Sequence, residues 1–167
     1  MEPIRMPADY YEQTPDANIL ATEAVMNTIR TADLLFDRIG RLLRPLDVSS
    51  AGGLVLGLLR DNGALSPSEL GERLIVTRAT VTGLLDSLES KRFVRRTPNP
   101  NDRRGLLIEI TPEGLKVLAE VRKVVHAEEK RWMSALEDRQ LKKLISLLHV
   151  VQASVSEFDG TDTSGTR

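Results

Sequence analysis

Apolar positions recur at alternating steps of four and three from Val25 through Ile29, Ala32, Phe36 and Ile39 to Leu43. Side chains at those steps fall on one face of an α-helix. The spacing predicts a long helix from about Ala17 to Arg44, stopped by Pro45, whose ring removes the N–H that another turn requires. Ser49 or Ser50 can cap a second helix that ends near Asn62 and Gly63, with Gly52 and Gly53 weakening its first turn. Ser66-Pro67-Ser68-Glu69 opens a third helix with a capping residue, a proline at the first helical position and a glutamate that completes a capping box. Leu70 and Leu74 are its inward positions. After Ile75 and Val76, Thr77 can cap a fourth helix, Arg78 to Ser90, with Val81, Leu84, Leu85 and Leu88 as the buried stripe.

The period then changes. Leu106, Ile108 and Ile110 alternate with Leu107 and Glu109, the pattern of a half-buried strand, and RFVRRT upstream supplies its partner. Ala64-Leu65 can add a minimal strand to that sheet. Thr111-Pro112 starts a fifth, long helix to about Ala135, and Asp138 can cap a sixth in which Leu141, Leu144, Leu148, Val151 and Val155 again repeat at three and four. Two helices joined by a tight turn and followed by a hairpin make a winged helix-turn-helix. The expected fold class is therefore mainly α with a small β-hairpin wing (α+β). Residues 49–111 form the winged lobe, 17–48 and 112–158 a helical region, 1–16 an irregular arm containing Pro3, Pro7 and Pro15, and 159–167 a disordered tail with nothing to bury. The terminal helices carry more apolar stripe than one small core covers. A second copy related by a two-fold axis is the simplest cover, which makes 17–48 and 112–158 a dimerisation region; an intramolecular bundle is the other.

Charge sharpens this picture. The chain of 167 residues has a net charge of −1, yet between Lys91 and Arg104 stand Lys91, Arg92, Arg95, Arg96, Arg103 and Arg104 against Asp102 alone. That segment carries +5 and leaves −6 for the remainder, the distribution expected of a nucleic-acid-facing edge. The fourth helix opposes its buried stripe with Ala79, Thr82, Gly83, Asp86 and Ser90, flanked by Arg78 and Thr80. Small and hydroxyl-bearing side chains let a helix approach base edges closely. There is no cysteine, which excludes disulfides and thiol redox sensing. No signal segment or apolar run of transmembrane length is present, and a cytoplasmic protein is expected.

The hairpin NPNDRRGLLIEITPEG, preceded by TRATVTGLLDSLESKRFVRR, resembles the MarR family of bacterial transcription regulators. Asp102-Arg103-Arg104-Gly105, the apolar strand behind it and Thr111-Pro112-x-Gly114 match that family's wing signature, and the flanking helices extend the resemblance from about Ala17 to Phe158. The resemblance implies a homodimer, shaped like a triangle over double-stranded DNA with a palindromic site. It also implies that an arginine of the Asp-x-Arg pattern, Arg104 here with Arg103 adjacent, enters the minor groove. Arg78, Thr80 and Thr82 then read bases, Ser66, Ser68, Thr77, Lys91, Arg95 and Arg96 hold phosphates, and Asp102 braces the wing. Such regulators are commonly repressors released by a small aromatic or acidic effector between the dimer base and the winged lobe, for which Phe36, Ile39 and Trp132 are lining candidates. For Trp132 the favoured reading is an anchor in the core or the dimer interface, since buried aromatics dominate interfaces.

Other chemistry is poorly supported. Gly52-Gly53-Leu54-Val55-Leu56-Gly57 lacks the Lys-Ser/Thr of a phosphate loop and lies in a helical pattern. No Gly-x-Ser-x-Gly elbow occurs. His126 has Glu129 one turn on, and two ligands are too few for a zinc site. No metal, cofactor or catalytic role is expected. The competing reading is a winged helix used as a protein-interaction module without a DNA target.

Overall fold

The computed structural model describes the backbone of residues 1–100 and 102–159, with their side chains except those of Tyr11, Arg103, Arg104 and residues 157–159. The tail expected to be disordered lies, beyond Asp159, outside the described residues. The chain divides into two compact units, residues 1–125 and residues from 126 onward.

The first unit begins with an arm containing one helical turn, α1 (Tyr10–Gln13). The arm is more ordered than its prolines suggest, because α2 (Ile19–Leu43) grips its backbone. Asn27 pairs with the peptide of Ile4, accepting from its N–H at 2.8 Å and donating to its carbonyl at 3.0 Å. Glu23 accepts from the Met6 N–H at 2.9 Å and from the Arg5 guanidinium at 2.7 Å. Arg30 donates to the Glu2 carbonyl at 2.8 Å. Glu23 is thereby buried, to 8% exposure, with both oxygens satisfied.

Asn18 caps α2 by accepting from the Ala21 N–H. The helix ends in a 3-10 turn, Arg44–Leu46, centred on Pro45. Ser49 caps α3 (Ser50–Asn62), and Gly52 and Gly53 are buried in its first turn. The capping box of α4 (Pro67–Leu74) forms in full: Ser66 accepts from the Glu69 N–H at 3.3 Å while Glu69 accepts from the Ser66 N–H at 2.7 Å. These bonds hold the Glu69 carboxyl below its ordinary pKa, the Ser66 backbone bond first. A left-handed Ile75 turns the chain into α5 (Arg78–Ser90), capped by Thr77.

Strands β1 (Val94–Asn99) and β2 (Asp102–Ile110) pair antiparallel with Val94 opposite Ile110 and Arg96 opposite Ile108. The register shifts between Pro98 and Asn99. Leu65 makes an isolated bridge to Ile108 on the far side, where the sequence suggested a minimal third strand. α6 (Pro112–Trp132) starts against the hairpin base and ends three residues short of Ala135. A Cβ on Gly114 would collide with the Phe93 carbonyl oxygen; only a residue without one permits that start. Val55, Leu56, Leu59, Leu65, Leu70, Val81, Leu85, Leu88, Val94, Ile108 and Leu118 form the lobe's core. Burying each leucine contributes about 1.5–3 kcal/mol, so this cluster holds α3, α4, α5 and the hairpin together. The fold is a winged helix-turn-helix, mainly helical with a two-stranded hairpin.

On α2 the predicted stripe is uncovered over most of its length. Val25, Ile29 and Phe36 are about half exposed, whereas Leu43 is buried. The second unit holds the end of α6 and α7 (Asp138–Asp159). Along α7, Ile145, Leu147, Val150, Val151 and Val155 are half or more exposed. No single described helix is long and apolar enough to cross a membrane.

Candidate nucleic-acid interface

The outer face of α5 is open. Val81, Leu85 and Leu88 anchor the helix from below, which leaves Arg78, Ala79, Thr80, Thr82 and Gly83 exposed. Thr77 and Thr80 share a hydroxyl–hydroxyl hydrogen bond at 2.9 Å. Thr82 donates to the Arg78 carbonyl at 3.0 Å, which leaves its oxygen lone pairs to accept from a ligand. At the start of α4, Ser68 is exposed. The Ser66 hydroxyl is engaged with Glu69, donating to Oε2 at 2.7 Å.

Three basic residues at the hairpin base, Lys91, Arg95 and Arg96, have partners within the protein. Lys91 Nζ contacts the Asp47 carbonyl at 2.7 Å and its Oδ1 at 2.9 Å. Arg95 pairs across the strands with Glu109, its Nη2 at 2.6 Å. Arg96 pairs with Asp86 at 2.6 Å and Glu89 at 2.5 Å, both on α5. These bonds raise the Arg96 pKa, the Asp86 hydrogen bond first, against an opposing effect of burial. Sequence reasoning assigned all three cations to phosphates; what local spacing did not show is that Asp47, Asp86, Glu89 and Glu109 lie within their reach.

At the wing tip, Arg103 and Arg104 belong to β2 by backbone, and their side chains lie outside the described residues. Asp102 folds over the hairpin: a Cβ on Gly105 would meet its Oδ2 at 2.8 Å. Glycine there gives the carboxylate room to lie against its own strand.

Phe36 is 50% exposed on α2, Ile39 packs with Leu43, Val48 and Val121, and Trp132 belongs to the second unit. A cleft of about 280 Å³ opens beside the α2–α3 junction, lined by Arg44, Asp47, Ser49, Leu84, Ser87 and Lys91 among others. His126, Glu129 and His149 are exposed. Among the described residues no three His, Asp or Glu side chains gather as a metal site.

Comparison with known proteins agrees with this geometry. Residues 48–106 match the MarR family. The multiple antibiotic resistance protein MarR of Escherichia coli (strain K12) is 35% identical over 107 residues, 62% of this chain and 74% of that protein. The chain spans about half the length of the Salmonella MarR proteins, which are 40% identical over 75 residues, 45% of this chain and 52% of theirs. Among solved structures, the transcriptional regulator BldR from Sulfolobus solfataricus superposes with a TM-score of 0.74 at 27% identity, over 83% of this chain and 99% of that one. A mutant E. coli MarR complexed with operator DNA does so at 0.66 and 30% identity, over 77% and 95%. With its capped α4–α5 turn, open α5 face and arginine-bearing hairpin, the chain belongs to the MarR family.

Proposed function

We propose that this protein is a sequence-specific, DNA-binding transcriptional repressor that works in the cytoplasm as a homodimer and has no catalytic role. The observation that carries the reading is the exposed α5 face, small and hydroxylic, followed by a segment, residues 91–104, of net charge +5 in a MarR-family fold. In this reading α5 enters a major groove, where Arg78, Thr80 and Thr82 reach base edges. Ser66, Ser68, Thr77, Lys91 and Arg95 steady the backbone, and Arg103 and Arg104 approach the minor groove, whose negative potential rewards a guanidinium. The operator complex of the E. coli relative supports the docking mode. Dimerisation through the uncovered faces of α2 and α7 makes the site palindromic, with half-sites about 10 base pairs apart.

An acidic effector has a place in the cleft beside Asp47. A carboxylate there competes with Asp47 for Lys91, at the C-terminal end of α5, and so acts on the helix that reads DNA.

The test begins with duplexes selected by the wild-type protein from a random-sequence pool, titrated at several salt concentrations beside scrambled controls. Arg78→Ala or Thr82→Ala costs on the order of 1–3 kcal/mol on the selected duplex and little on the scrambled one. Arg95→Ala weakens both alike and lowers the salt slope by about 0.9 for each phosphate it no longer neutralises. Wild-type binding that is absent or independent of salt removes the DNA reading and puts the protein-interaction module in its place.

A further inference from the structure

Arg78, Thr82, Asp86 and Glu89 follow one another along α5 at steps of four, four and three. At about 100° per residue they occupy one stripe spanning about 80° of the helix. The stripe that begins with the base-reading candidates Arg78 and Thr82 thus continues into two carboxylates. Carboxylates offered to a polyanion oppose binding unless they are neutralised.

Arg96 reaches both of them from the neighbouring strand β1. Its Nη2 lies 2.6 Å from Asp86 Oδ1 and its Nη1 2.5 Å from Glu89 Oε2. Its backbone N–H also donates to Glu89 Oε1 at 3.3 Å. The planar guanidinium addresses two acids at once, which a lysine ammonium matches only as a point charge. The Arg96 side chain is 29% exposed, against 68% for Arg95 in the strand position before it. To serve a phosphate, Arg96 would have to abandon two charge-assisted bonds and leave Asp86 and Glu89 bare on the DNA-facing stripe.

We propose that Arg96 is a positioning residue for DNA recognition, not a phosphate ligand: it neutralises Asp86 and Glu89 at the end of the base-reading stripe and locks the wing to α5. The inference rests on the DNA-binding reading above. The lock sets the angle between the helix and the wing, and with it the spacing at which one protein lobe meets two grooves.

The experiment uses the full chain, the selected and scrambled duplexes, and four forms: wild type, Arg96→Gln, Asp86→Asn/Glu89→Gln, and the triple variant. Thermal unfolding of each form checks folding. Arg96→Gln is expected to lose tenfold or more in affinity on both duplexes. On scrambled DNA the triple variant recovers wild-type affinity with an undiminished salt slope, because the acids that needed neutralising are gone. On the selected duplex recovery is incomplete, since the lock is still missing. Arg96→Lys, which keeps the charge and loses the fork, retains scrambled-DNA binding and loses discrimination; it substitutes for Arg96→Gln if that form does not fold. A weakening that persists in the triple variant on scrambled DNA, with a slope lower by about 0.9 per subunit, makes Arg96 a phosphate ligand and overturns the proposal. Wild-type binding without salt dependence removes the DNA reading itself, a result distinguishable because it appears before any Arg96 variant is made.

Discussion

Individual residues in this chain are held in conformations that their side chains do not favour. Ile75, at the turn between α4 and α5, has φ 54° and is 92% exposed. A β-branched residue in the left-handed region is strained, by about 1–2 kcal/mol. Ile75→Gly relieves that strain, while the freer unfolded chain takes back about 0.5–1 kcal/mol. The side chain is exposed, so removing it forfeits little burial. The expected outcome is a net gain of about 0.5–1 kcal/mol and a higher midpoint in urea unfolding; a lower midpoint would mean that the isoleucine makes a stabilising contact elsewhere. Lys91 and Arg96 teach a related lesson about charge. Their positions in a basic run do not reveal their acidic partners: Asp47 lies 44 residues from Lys91, and Glu89 and Asp86 lie 7 and 10 residues from Arg96. Such partners are invisible to local spacing.

The N-terminal arm makes the same point for whole elements. Glu23, Asn27 and Arg30 sit at steps of four and three on α2 and bind the backbone of residues 2–6. Hydrogen bonds from the Met6 N–H first, then from Arg5, hold the Glu23 carboxyl below its ordinary value of 4.5, against a smaller effect of burial. A depressed carboxyl contributes stability that is fully present above the unfolded pKa and is lost as pH falls through the folded value. Arm docking is therefore expected to be constant at neutral pH and to weaken below about 4.5. Amide exchange at Met6, followed by NMR, should accelerate relative to the intrinsic rate in that acid window. Glu23→Gln should produce the same release at neutral pH. Equal protection of Met6 in wild type and Glu23→Gln would show that the arm is held by other contacts.

For the whole molecule, the decisive feature is apolar surface left without cover. Ile29 and Phe36 on α2 are 52% and 50% exposed, and Ile145 and Val155 on α7 are 67% and 57% exposed. Contiguous faces of this kind mark interaction sites, and a second copy is the partner proposed here. Sedimentation of the wild type is expected to give about twice the 18.5 kDa chain mass. Ile145→Glu, which places a charge on the α7 face, should shift the protein to the monomer mass and abolish tight binding to a palindromic duplex, because two linked half-sites bind far more strongly than one. A wild type that sediments as a monomer at micromolar concentration, or an Ile145→Glu variant that stays dimeric, would remove α7 from the interface.

The amino-acid sequence by itself determined the long helices, the hairpin and their order, but not the short α1 turn of the arm. Periods of 3.6 and 2 mark the helices and the β2 strand, and Ser66, Pro67 and Glu69 mark the start of α4, because local spacing and capping act on backbone torsions over a few residues. Thr77 and the polar face of α5 were legible for the same reason, and so was the pairing of Leu65 with the hairpin. The tertiary structure alone decided how the charges are spent. Whether Arg96 faces solvent, phosphate or Asp86 and Glu89 depends on how closely β1 passes α5, and that distance is set by the shared core of Leu85, Leu88, Val94 and Ile108. The grip of Glu23 on the arm and the closure of Lys91 on Asp47 have the same origin. Each joins segments distant in the chain, so each is fixed only once the core has brought them together.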